Sequence, residues 1–344
     1  MEEADISYDE IQEVLDGIMQ GQSFSFSELV HSLFTGGEGF DIGKGLAMLP
    51  GQLVEVILGE NRFVFYLLAL AFIGALFTNF SKMLQKKQVA QAAFYVTYML
   101  FFSTLAAAFQ VILRETSDQL GMIVEFMKAL VPAYFLSLAF ASDAASSAVF
   151  YQMALLVIAI VEFLIQKFIL PLIQTFFILQ MLNQVAEEDS MSKLAKLLEK
   201  MIHWVLKTVF LFVIGLQVIQ GMVVPGISAA KKTMLIKLGG AVPGVGNTFQ
   251  AAAETILSSA GLLKNAVGAA GLVALVTILV LPLAKLMGQS FLYGLVMALI
   301  QPVSDKRIIG SVEGMSHTIH LLLHVVSVCG ILFFLSVAIV STLT

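Results

Sequence analysis

The chain has 344 residues, of which 58% are hydrophobic and 12% charged, and its mean hydropathy is +0.91. Water-soluble domains carry about 25% charged residues, so a single aqueous core does not account for this much apolar surface, and lipid is the expected solvent. The net charge of −5 hides an asymmetry: residues 1–62 hold 12 of the 24 acidic residues and two basic ones, Lys44 and Arg62. With no basic patch carrying interleaved aromatics, nucleic acid is excluded as an expected partner, and the lone Cys329 permits no intramolecular disulfide.

The opening MEEADISYDE has neither a basic n-region nor an apolar h-region. Insertion is therefore expected through the first internal helix, or after removal of a leader. Residues 1–62 read as an acidic extracytoplasmic or interfacial region of short amphipathic helices. One starts at Ser7–Glu10 with Ile11, Val14, Leu15 and Ile18 on a face, a second covers about 25–34, and a third follows Pro50. These are too short and too polar to span, and are expected to lie on the membrane surface or against the helices that follow.

Residues 63–344 read as an all-α, polytopic transmembrane bundle of about eight or nine spans, each needing about 20 apolar residues. The first span is 63–80, closed by Lys82, Lys86 and Lys87; the second is 89–113, closed by Arg114. The third, 119–141, is interrupted by Glu125, Lys128 and Pro132. Residues 148–185 are too long for one untilted span, and Glu162, Gln166, Lys167 and Pro171 at their centre favour two helices meeting there. Residues 187–203 form a charged amphipathic connection, 204–224 a span ending at Pro225-Gly226, and 226–265 a second interfacial connection. Residues 266–301 divide near Pro282 and Lys285, and a last span covers 318–341. Lysine counts place the 81–88 loop in the cytoplasm and the acidic N-terminal region outside. Beyond residue 148 charge does not settle orientation.

Catalytic motifs are absent from the sequence: there is no phosphate-binding GxxxxGK[ST], no HExxH, no GxSxG and no CxxC. His317, His320 and His324 share one helical face, and imidazoles at that spacing suit a transition metal or a proton relay. No Cys or carboxylate stands at ligand spacing, so hydrogen bonding to neighbouring helices is the favoured reading. Glu125 with Lys128, and Glu162 with Lys167, are ionisable groups in apolar stretches; they pair, lie at the headgroup layer, or line an aqueous path. Lys285 beside Pro282 has the same alternatives. The segment holding Gly261, Lys264, Asn265, Gly268 and Gly271 is rich in small residues, which permits close helix approach or leaves room for a pore wall.

Four stretches stand out: KFILPLIQTFFILQMLNQVAEEDSMSKLAKLLEKMIHWVLKTV from Lys167, the break VVPGISAAKK, the run AVPGVGNTFQAAAETILSSAGLLKNAVGAAG, and MALIQPVSDKRI. Together they resemble the stage III sporulation protein AE family of endospore-forming Firmicutes. LLKNAVG at 262–268, preceded by VPGVG at 242–246, is the most specific feature. The resemblance covers most of the chain; it departs at the start, where family members usually carry a signal-like segment. It implies a multi-pass subunit in the mother-cell-derived membrane around the forespore, forming or supporting the export gate of a channel-like complex. The implied partners are the lipid bilayer, an ATPase, small membrane subunits and ring-forming proteins of one operon, and indirectly a forespore-side protein. The family has no established catalytic residues or cofactor to carry over, so no enzyme activity is expected. A stand-alone secondary transporter with its site at the broken helices is the second reading, although the two breaks lie in dissimilar sequences. An intramembrane enzyme is the weakest.

Overall fold

The computed structural model describes residues 8–18, 24–35, 62–83, 87–141, 144–185, 191–239, 246–302 and 304–342. Among them the fold is helical, with no strand. In chain order the helices are α1 (Asp9–Ile18), α2 (Phe26–Thr35), α3 (Arg62–Met83), α4 (Lys87–Ala141), α5 (Ala144–Leu164), α6 (Leu170–Val185), α7 (Ser192–Gly239), α8 (Gly246–Ile300) and α9 (Lys306–Thr342). A π-helical turn, Ile165–Ile169, joins α5 to α6.

The two N-terminal helices dock on the bundle: Ile11, Leu15, Phe26, Leu29 and Val30 are buried in the common core. Gln12 ties them together, its Nε2 donating to the Phe24 carbonyl at 2.7 Å and its Oε1 accepting from the Phe26 amide at 2.9 Å. Ser25 caps α2 by accepting from the Glu28 amide at 3.2 Å, the hydroxyl half of a Ser-x-x-Glu box. The amphipathic helix expected after Pro50 lies outside the described residues, as do positions 240–245 of the expected Gly/Pro turn.

The long helices correct the sequence reading. Segments 89–113 and 119–141 are one helix of 55 residues, about 80 Å at 1.5 Å per residue. The charged run around Arg114 to Asp118 does not break it, since charged residues are ordinary helix formers and only their solvent changes. Residues 148–185 form two helices that meet where expected, α5 and α6, but with no loop between them. Pro171 lacks an N–H and its ring crowds the carbonyl of Lys167, and the chain absorbs this by widening into the π-turn and continuing. Residues 266–301 pass through Pro282 without dividing, within α8. The span expected to stop at Pro225-Gly226 continues to Gly239, and the 187–203 segment supplies the first turns of that same α7.

The count of eight or nine spans is not confirmed. Among the described residues, five helical runs are long and apolar enough to cross a membrane: Tyr95–Ala139, Ser147–Gln184, Ser192–Ile219, Gly261–Ile300 and Lys306–Ile339. A shorter apolar run covers Phe63–Leu76. At 28 to 45 residues, all five exceed the length that a 30 Å hydrocarbon core needs, about 20 residues.

Side-chain pairs give the directions. Glu115 meets Lys285 and Leu130 meets Gly271, so α4 and α8 are antiparallel. Ser290 meets His320 and Leu279 meets Gly330, so α8 and α9 form an antiparallel hairpin. Glu199 meets His317 and Gln217 meets Ser336, so α7 runs parallel to α9. Apolar burial does not drive helix association in lipid; close packing does. Large aromatics such as Phe101, Phe109, Phe126, Phe176 and Phe177 are fully enclosed, with Phe109 stacked on Phe177 at 4.1 Å between centroids. Glycines set the closest approaches. A Cβ at Gly271 would lie 2.8 Å from Leu130 Cδ2, and one at Gly330 would lie 2.7 Å from Leu279 Cδ1.

Candidate functional site: a polar belt at mid-bundle

Each of the five apolar runs carries polar side chains near its middle, and the fold brings several of these into contact between helices. On α4 the positions are Glu115 to Lys128, on the α5–α6 run Glu162 to Lys167, on α7 Glu199 to Lys207, on α8 Lys285 to Ser290, and on α9 His317 to His324. Glu115 and Lys128 are 13 residues apart, so the belt covers about 20 Å of α4.

Three contacts climb α4. Lys285 Nζ lies 2.9 Å from Glu115 Oε2, with both side chains largely enclosed. Two turns on, Gly121 faces the π-turn, where a Cβ would lie 3.8 Å from Gln166 Nε2. Two turns further, Lys128 Nζ lies 2.7 Å from Glu162 Oε2, and this pair is more open. Of the alternatives for Lys128, local pairing with Glu125 gives way to a pairing between helices. Glu162 on α5 reaches across to Lys128, and Glu125 and Lys167 lie exposed on the outside of the bundle. Opposite charges held at this distance replace hydration that an apolar surround withholds.

The three histidines share the face of α9 that their spacing predicts, yet each finds a different neighbour. His317 Nε2 is 3.1 Å from Glu199 Oε1, and its ring packs edge-on to Phe176. His320 Nε2 is 2.9 Å from the Ser290 hydroxyl. His324 stands edge-on to His203 at 5.1 Å between centroids. Among the described residues no group of three His, Cys, Asp or Glu side chains is placed to hold a metal ion. The belt joins α7, α8 and α9 by these contacts as it joins α4, α5 and α8 by ion pairs.

The small-residue segment of α8 is uneven. Gly271 is pressed on Leu130, Gly268 is buried, and Ala266 and Ala270 are buried beside them. Gly261 has open space where a Cβ would stand, Asn265 is exposed, and Lys264 is 3% exposed.

Glu115, Glu199, His203 and Ser290 went unremarked as site residues in the sequence. Glu115 carries a usable signal, a carboxylate between two apolar stretches, but its neighbour Arg114 reads as the end of a span. The others become partners only once distant helices are brought side by side.

The family model for stage III sporulation protein AE matches residues 24–344. The stage III sporulation protein AE of Bacillus subtilis (strain 168) is 26% identical over 350 residues, covering 98% of this chain and 86% of that relative. No solved structure matches. With a helical bundle apolar enough for a membrane and a family match over nearly all of its length, the chain belongs to the stage III sporulation protein AE family.

Proposed function

We propose that this protein is a non-enzymatic, multi-pass subunit of the sporulation complex that links mother cell and forespore. In this reading it forms or supports the export gate in the mother-cell-derived membrane. The family match over residues 24–344 carries the reading. The architecture agrees with it: charge inside the bundle is spent on cross-links between helices, such as Lys285–Glu115 and Lys128–Glu162, which suits a scaffold holding helices in fixed register. Long rods with large exposed apolar side chains on α3, α4, α7 and α8, including Phe65, Leu100, Trp204 and Phe291, offer surface to lipid and to small membrane subunits alike.

The test is a mild-detergent pull-down of the tagged protein from sporulating cells, with the mass of the assembly measured. A large assembly containing the ATPase and the small membrane subunits of the same operon is expected. A monodisperse monomer or dimer that binds a small solute would overturn the proposal in favour of a stand-alone transporter.

A further inference from the structure

Beyond the belt, a cavity of about 40 Å³ lies between α4, α5, α7 and α9. Two of its lining residues, Met127 and Leu130, flank Lys128 on α4. Its walls are mostly apolar, with Phe150 and Phe333 among them, but three polar side chains join them: Tyr134, Gln217 and Ser336.

The hydrogen bonds of these three fix what the cavity presents. The Ser336 hydroxyl donates to the Leu332 carbonyl at 2.8 Å, and so accepts from Gln217 Nε2. With Nε2 committed to Ser336, the other end of the Gln217 amide is an acceptor, Oε1. That atom is buried and has no hydrogen-bond partner among the described residues, and the same holds for the Tyr134 hydroxyl. Both residues are over nine-tenths enclosed, at 3% and 4% exposed. Tyr134 is also held edge-on against Phe150 at 6.0 Å between centroids, so its ring is not free to swing away. An acceptor and a donor–acceptor thus line the same small space without bonding each other.

Leaving such groups unpaired in an apolar surround is costly, and native interiors satisfy nearly all of them with protein or with water. A water needs about 10–15 Å³ of such space and two to four polar partners. Both conditions are met here: the volume admits more than one, and Tyr134 and Gln217 supply the partners.

We propose that this cavity is an internal hydration site, in which one or two water molecules link Tyr134 on α4 to Gln217 on α7. A water donates to Gln217 Oε1 and accepts from the Tyr134 hydroxyl. α7 packs chiefly against α5, α6, α8 and α9, so the water adds a connection to α4. Such a link exchanges without repacking side chains, and lets α7 move against α4 more cheaply than a direct contact does.

The experiment is radiolytic hydroxyl labelling of the full-length protein in detergent micelles, in ¹⁸O-water, followed by a stability comparison. Tyr134 and Met127 are expected to take up label several-fold faster than Tyr98 and Met315, which are as enclosed but do not line this cavity. Labelling no faster than at those two residues overturns the proposal, including the case where Tyr134 and Gln217 bond directly. Tyr134→Phe is expected to lower the melting temperature by about 2 °C, and a rise, the mark of a dry unpaired hydroxyl, overturns it. Combined with Gln217→Leu, the loss is expected to fall short of the sum, since both variants release the same water. Additive losses overturn it.

Discussion

Lys285 Nζ and Glu115 Oε2 meet at 2.9 Å across α8 and α4, although 170 positions separate them in the chain. Both side chains are less than a third exposed, so the pairing offsets hydration that each charge has lost. Removing one partner of an enclosed pair costs about 3–5 kcal/mol, because it strands the remaining charge. Lys285→Met or Glu115→Leu alone is therefore expected to destabilise by about 3 kcal/mol or more, and the double variant to recover most of that loss. Thermal unfolding in detergent measures both. Harmless single variants would place this pair in a hydrated layer instead.

The second pair provides the contrast. Lys128 and Glu162 are closer, at 2.7 Å, but their side chains are 46% and 34% exposed. Solvent screening leaves such pairs worth about 0–1 kcal/mol. Glu162→Gln is expected to shift stability by less than about 1 kcal/mol, read by the same unfolding assay. A loss as large as that for Lys285→Met would mean that the pair is enclosed in the assembled complex.

Gly271 allows α8 to touch α4 at Leu130. Gly271→Val forces its Cβ into Leu130 and is expected to cost about 1–3 kcal/mol by overpacking. Adding Leu130→Ala makes room and should return part of the loss. Gly261→Val, at a position with open space, is the control and should leave melting unchanged. Equal effects at the two glycines would remove close approach as the reason for Gly271.

His317, His320 and His324 touch Glu199, Ser290 and His203 respectively. Losing one hydrogen bond of the kind that His317 and His320 make costs about 1 kcal/mol. Alanine variants of the three are expected to add within about 0.5 kcal/mol, and zinc should leave the melting temperature unmoved. Strong non-additivity together with zinc stabilisation would restore a shared metal site.

The continuity of α4 through its charged centre is open to a sharper test. Ser117→Pro removes a helical hydrogen bond and clashes with the carbonyl one turn back, costing about 3 kcal/mol or more inside a helix. It is expected to abolish accumulation of the folded protein, whereas Ser25→Pro, before α2, should be milder. Tolerance of proline at 117 would return 89–113 and 119–141 to two separate spans.

The sequence carried the solvent class, the all-α architecture, the two amphipathic N-terminal helices and the common face of the three histidines, because each depends on local composition or period. Helix continuity was lost because charged and proline residues were read as breaks. Arg114 and Glu115 continue a helix once Lys285 is opposite, and Pro171 is absorbed by a π-turn. Pairing was lost for a different reason. Lys128 has a carboxylate three residues away at Glu125, and only the crossing of α5 shows that Glu162 is nearer. The enclosed Tyr134 and Gln217 carry no sequence signal, since an aromatic and an amide in apolar helices read as ordinary wall.

The length of α4 also has a mechanical side. A rod of about 80 Å that is gripped by Glu115, Gly121 and Lys128 is also enclosed at Phe101 and Phe109 on one side of that grip and at Leu130 and Tyr134 on the other, so it has no free arm. It serves as a keel: load entering anywhere along it is shared among α3, α5, α8 and α9, which pack against it, instead of being concentrated at a tip.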